Sequence, residues 1–200
     1  MTVAPYHHML AHFPVALLSI ALLIVLLRGF SDTDLARRLD HMLPYVLGLG
    51  LLGGIATFIS GLVVWPIEAA ISTPMGRNKI LIAAWMLACW TVVLALRLKG
   101  GESVWKPGGK WLMVAMGALG GILAATTGTL GGHLLGSPSR LSGGLRALGW
   151  DVYHTYYAPG WVLAVMIATA IVAIVVGVSA ARARHSSAAP AGLPEGVFNR

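Results

Sequence analysis

Residues 9–27 read MLAHFPVALLSIALLIVLL, an apolar run interrupted by one histidine and closed by Arg28. A helix needs about 20 apolar residues to cross the hydrocarbon core of a bilayer, so this stretch predicts a membrane-spanning helix. Four more runs of the same kind follow, at 42–64, 80–96, 111–135 and 159–181. They are continuously apolar rather than alternating, which favours helices over a closed β-barrel as the way to satisfy the backbone in lipid. The sequence thus predicts an all-α protein, a polytopic membrane helix bundle of five transmembrane helices formed as one unit over residues 1–182. Residues 183–200, with Ser186, Ser187, Pro190 and Pro194, read as a disordered cytoplasmic tail.

Composition agrees with that reading. Hydrophobic residues make up 57% of the 200 and charged residues 10%, against about 25% charged in soluble domains. A surface so poor in charge is solvated by lipid. The net charge of +7 does not imply nucleic acid, because the basic residues sit at the ends of apolar runs and not on one face. The single cysteine, Cys89, lies inside a span and reads as a small buried hydrophobe. The first run is too long for a signal peptide and no basic segment precedes it, so it reads as a retained helix.

Loop charge sets the expected orientation. Arg28, Arg37, Arg38, Arg97, Lys99, Lys106, Lys110, Arg182, Arg184 and Arg200 fall on one side; only Arg77, Lys79, Arg140 and Arg146 fall on the other. The positive-inside rule places the first group in the cytoplasm, with the N-terminus outside and the C-terminus inside. The expected location is the bacterial inner (cytoplasmic) membrane. Glycine pairs four residues apart, Gly50/Gly54, Gly117/Gly121 and Gly132/Gly136, predict close helix approaches.

On this topology His7, His8, His12, His133 and His154 gather on the outer side, while His41 and His185 fall inside. Pro14 suits the first turn of a helix, which would start the ordered part near Ala11 and leave His7 and His8 at the headgroups. His12 and His133 come to similar depth on antiparallel helices. Haem iron takes axial ligands from opposite faces of the ring, normally from different helices, and this pair meets that demand. Gly131 and Gly132 would leave room for a flat ring. His154 is a reserve ligand from the loop before the fifth span. His8 and His12 share one helix face and suit a small ion such as copper or zinc instead. Glu68, beside Trp65 and Pro66, is a candidate proton acceptor for a quinol. Against all of these stands the ordinary interfacial role of amphipathic rings, since Tyr6, Trp65, Trp150, Tyr153, Tyr156, Tyr157 and Trp161 lie in the same belt.

The stretch His8-Met9-Leu10-Ala11-His12-Phe13-Pro14-Val15-Ala16-Leu17-Leu18 resembles the H-P-x-x-V-H-F-P-I-A-L-L opening of a bacterial membrane domain, the domain-of-unknown-function family 2231. Ser60-Gly61-Leu62 resembles its T-G-L segment. Thr127 to Leu134, TGTLGGHL, resembles the S-G-x-x-G-G-x-L that ends its fourth helix. The likeness covers roughly residues 7–136; the fifth span lies outside it. It implies a four-helix membrane domain and, through fusions to Rieske or cytochrome c domains in some members, electron transfer with His8 and His12 in a cytochrome-b-like role.

Three functions follow as expectations. The first is a membrane subunit of a respiratory or photosynthetic electron-transfer complex. It would bind haem b near the periplasmic face and pass electrons between quinone and a periplasmic partner such as a cytochrome c or Rieske-type protein. The second is a cofactor-free structural or anchoring subunit of a membrane complex. The third is a small metal-ion-binding membrane protein. A transporter ranks last, because no span carries an acid or base near its midplane and no inverted repeat is evident.

Overall fold

The computed structural model describes residues 4–137 and 140–187. Among these residues every regular element is helical. The long helices are α1 (Ala4–Phe30), α2 (Asp34–Val64), α4 (Pro74–Gly100), α5 (Pro107–Leu134) and α7 (Gly160–Ser187), and two short ones, α3 (Ile67–Ile71) and α6 (Leu141–Ala147), lie in the connections. A 3₁₀ turn at Gly101–Trp105 joins α4 to α5. All five long helices are long and apolar enough to cross a membrane. Residues such as Leu23, Leu52, Ile59, Ile122 and Ile171 point their apolar side chains outward along them, as lipid-facing residues do.

Four of the five long helices begin earlier than the apolar runs suggested, and for α2 and α4 the start is set by a capping threonine and not by the first apolar residue. The Thr33 hydroxyl accepts the Ala36 N–H and starts α2 at Asp34, ahead of Met42. Thr73 caps Gly76, and Pro74 supplies the preset backbone of the first turn, so α4 starts ahead of Ile80. Helix α1 starts at Ala4, which makes Pro14 an interior proline and puts His7 and His8 on the helix proper. Helix α7 runs past Ala181 to Ser187; the rest of the expected tail, residues 188–200, lies outside the described residues.

Four helices form a ring in the order α1, α2, α4, α5, with α1 and α4 on the diagonal; α7 packs on α4 from outside. Glycines make the closest approaches. A methyl group built on Gly50 would stand 2.9 Å from Leu18, and one on Gly117 would stand 2.9 Å from Val25. Gly136 acts differently from the packing role expected of it. It sits at φ +75° just after α5, where its N–H donates to the His133 carbonyl and the Ser137 N–H donates to Gly132. These bonds close the helix with the left-handed residue that glycine adopts most easily.

One polar link holds the ring from inside, and further hydrogen bonds tie α7 and the segment before it to α4. Asp40 on α2 and Arg97 on α4 form a paired contact, Nε to Oδ1 at 3.0 Å and Nη2 to Oδ2 at 2.9 Å, with both residues buried. The Trp85 indole N–H donates to Thr169 at 3.1 Å and ties α7 to α4. The Asn78 amide donates to the carbonyls of Val152 and Thr155, both at 2.9 Å, and anchors the segment before α7 to the same helix.

Candidate functional site

The ring of four helices is not filled along its whole length. At the end where α1 begins, a cavity of about 540 Å³ opens between α1, α2, α4 and α5. Its deep wall is apolar, with Val15, Leu18, Met86 and Leu87. Its polar groups are His7, His8 and His12 from α1, Trp65 from the end of α2, Lys79 from the second turn of α4, and Thr57, Thr73 and Thr127, whose hydroxyls bond the backbone of their own helices. On the α5 side Gly128, Gly131 and Gly132 line it, and nothing stands within 4 Å of a methyl group built on Gly128.

All three α1 histidines line the cavity. His8 and His12, four apart, share one face, while His7 lies about 100° round the helix from His8, toward α2. His7 is buried, 8% exposed, with Nδ1 2.9 Å from the Ser60 hydroxyl oxygen. That hydroxyl gives its one hydrogen to the Thr57 carbonyl at 3.0 Å, so on this assignment His7 Nδ1–H is the donor and Nε2 keeps a lone pair. His12 Nδ1 stands 2.8 Å from the His8 carbonyl oxygen. A carbonyl only accepts, so His12 also carries its proton on Nδ1 and leaves Nε2 as an acceptor or ligand. The His7 and His8 rings each meet the Trp65 ring edge-on, at 6.0 and 6.4 Å between centroids.

Lys79 closes the opposite side. Its Nζ lies 5.4 Å from the centre of the Trp65 ring, a cation–π contact, and 3.5 Å from a methyl group built on Gly131.

No known family, characterised protein or solved structure matches this chain. The likeness of the first helix to family 2231 therefore rests on the residues that carry it.

The other expected site residues lie elsewhere. His133 is on the far side of α5. The cavity-facing row there is Ala124, Gly128, Gly131 and Leu135, and at about 100° per residue position 133 turns away from it. The His133 ring instead packs on Tyr153, 4.4 Å between centroids, with a buried Nδ1 that has no hydrogen-bond partner among the described residues. The structure thus brings His8 and His12 together with Gly131 and Gly132 but leaves His133 outside the cavity. His154 is exposed and pairs with Asp151 at 3.0 Å. Glu68 is exposed on α3, away from the cavity lining. His41 meets Glu102 at 3.4 Å at the opposite end of the bundle. Among the described residues no group of three or more histidine, cysteine, aspartate or glutamate side chains could hold a metal ion.

Two residues of the cavity were not singled out by the sequence reading, His7 as a buried group and Lys79 as an intramembrane one. The signal for Lys79 was present in Thr73-Pro74, a cap followed by an N1 proline, which puts the lysine one turn inside the helix.

Asp151 belongs to a separate polar cluster outside the spans. Burial raises its carboxyl pKa, but hydrogen bonds from His154 and the Tyr153 N–H, with the charges of His154 and Arg146, outweigh that and hold it below the usual aspartate value.

Proposed function

We propose that the chain is a membrane subunit of an electron-transfer complex and that its cavity receives a haem b, with His12 as the ligand from α1. The observation that carries this reading is the His12 imidazole. Its Nδ1 is tied to the His8 carbonyl, which leaves Nε2 without a proton, and the exposed His12 side chain is among those that line a ring-sized apolar cavity. A backbone carbonyl on the distal nitrogen is the usual support of a ligating histidine, because it fixes the tautomer and the ring plane. The glycines Gly128, Gly131 and Gly132 leave the α5 wall without side chains where a flat group would lie.

The fit is one-sided. The donor set offers a histidine nitrogen from α1, and on α5 the ring of His133 faces Tyr153. Of the other lining side chains, His7 and His8 on α1 carry imidazole nitrogens and Met86 on α4 carries a thioether sulfur. Haem, when bound, would supply one-electron chemistry. The chain's own part would be to hold the iron side through His12, to exclude water with the apolar deep wall, and to set the local field through Lys79. On this reading the cavity end faces the periplasm, quinone supplies or takes electrons, and a cytochrome c or Rieske-type protein is the partner. His7, five residues before His12, matches the spacing of the two histidines in the family 2231 opening better than His8 does.

A second reading, a cofactor-free structural subunit, is favoured by the long apolar faces exposed on α1, α2 and α7. Expression with ample haem separates the two. A Soret band that copurifies with the chain supports the first. A colourless protein that still assembles with other subunits supports the second.

A further inference from the structure

We infer that the ligand of the cavity carries a carboxylate and that Lys79 holds it. Among the described residues, Lys79 is the only lysine, arginine, aspartate or glutamate in the cavity lining. Its ammonium is half-buried and has no hydrogen-bond or ion-pair partner among the described residues; its contact is the face of Trp65. A charge at that depth in a membrane bundle is costly unless it is paired or aimed at something anionic. No described residue supplies the anion, so it fits a bound molecule.

The shape of the cavity says what else that molecule carries. The polar groups cluster near Lys79, Trp65 and His8, while the wall toward Leu18, Met86 and Leu87 is apolar. The occupant therefore has one acidic head and an apolar body. A phosphomonoester head is a poorer match, because one ammonium neutralises one charge, and doubly charged phosphates are normally met by several donors or by an arginine fork. A volume of about 540 Å³ lies within the ordinary range for small-molecule sites. Two sources share this chemistry, a haem propionate and a fatty acid. The first rests on the function proposed above; the second does not.

Paired probes test the inference on the purified full chain in detergent. One pair is a diazirine-bearing stearic acid and the matching alcohol, with photolabelled peptides read by mass spectrometry. The other is haem and its dimethyl ester, with binding read by Soret titration. If a fatty acid is the occupant, the acid labels the segments around Lys79, and Lys79→Gln reduces that labelling about tenfold, as loss of a charge-assisted hydrogen bond should. The alcohol labels wild type and variant equally. If haem is the occupant, the same Lys79-dependent preference separates haem from its ester. Lys79→Arg keeps the charge and restores binding in either arm, which distinguishes lost recognition from lost folding. Failure of haem to bind, with the fatty-acid preference intact, removes the electron-transfer reading and leaves this one standing. Equal behaviour of acid and alcohol, and of haem and ester, in wild type and Lys79→Gln overturns it.

Discussion

The Nδ1 of His12 lies 2.8 Å from the carbonyl oxygen of His8, one turn back along α1. The bond fixes the ring, and it works because the helix already begins at Ala4. Had α1 started near Ala11, the His8 carbonyl would not have been held in place to receive it. The cavity's chemistry thus depends on a turn of helix that the apolar run alone does not announce.

Asp40 and Arg97 join α2 to α4 by a bidentate ion pair with both partners buried. Removing one partner leaves a buried charge alone, at a cost of about 3–5 kcal/mol, whereas removing both is far milder. Arg97→Leu should therefore lower the thermal unfolding temperature in detergent sharply, and adding Asp40→Leu should recover most of the loss. A double variant less stable than the single one would contradict this.

Gly120 sits against Trp90. A methyl group built there would stand 2.8 Å from the ring of this fully buried tryptophan. Gly120→Val should destabilise the bundle by about 1–3 kcal/mol, the usual range for overpacking. Gly48, inside α2, meets nothing within 4 Å, so Gly48→Ala should unfold at or slightly above the wild-type temperature, alanine being the better helix former. The comparison is made by thermal denaturation of both variants side by side.

Five spans were legible because length and apolarity are enough to define them. The site was only half legible. Depth follows from counting residues along a span, so His12 and His133 could be placed at one level. Direction around the helix axis depends on which neighbour each face packs against, and the sequence does not state that. Gly131 faces the cavity while His133, two residues on, faces Tyr153. Lys79 was read as a loop charge bracketing a span, since counting apolar residues starts the helix at Ile80, whereas the Thr73 cap starts it at Pro74.

The Asp151 cluster should respond to acid. Its carboxyl pKa is depressed in the folded chain. A depressed pKa contributes stability that is fully present above the unfolded value, about 3.9 for aspartate, and is lost as pH falls through the folded value. Protection factors for hydrogen exchange across residues 150–157, which correct for the intrinsic pH dependence of exchange, should therefore be high at neutral pH and fall below about pH 4. Asp151→Asn should remove that acid dependence, and an unchanged profile in the variant would contradict the assignment.

The charge bias of the loops predicts which end faces the cytoplasm. A reporter fused after Arg200 that is active only in the cytoplasm should give signal, and one active only in the periplasm should not. The reverse result would move the cavity to the cytoplasmic face and exclude a periplasmic partner.

Ligation by His12 is the central claim, and the absorbance spectrum of haem-loaded protein tests it most directly. In the reduced wild-type protein a Soret band should be present. His12→Ala should abolish it or shift it to that of weakly held haem, while His41→Ala, at the opposite end of the bundle, should leave it unchanged. His133→Ala should also leave it unchanged if α5 keeps the face it shows. A Soret band of full intensity and unaltered position in His12→Ala, or no band in any of these proteins after loading, would contradict the account.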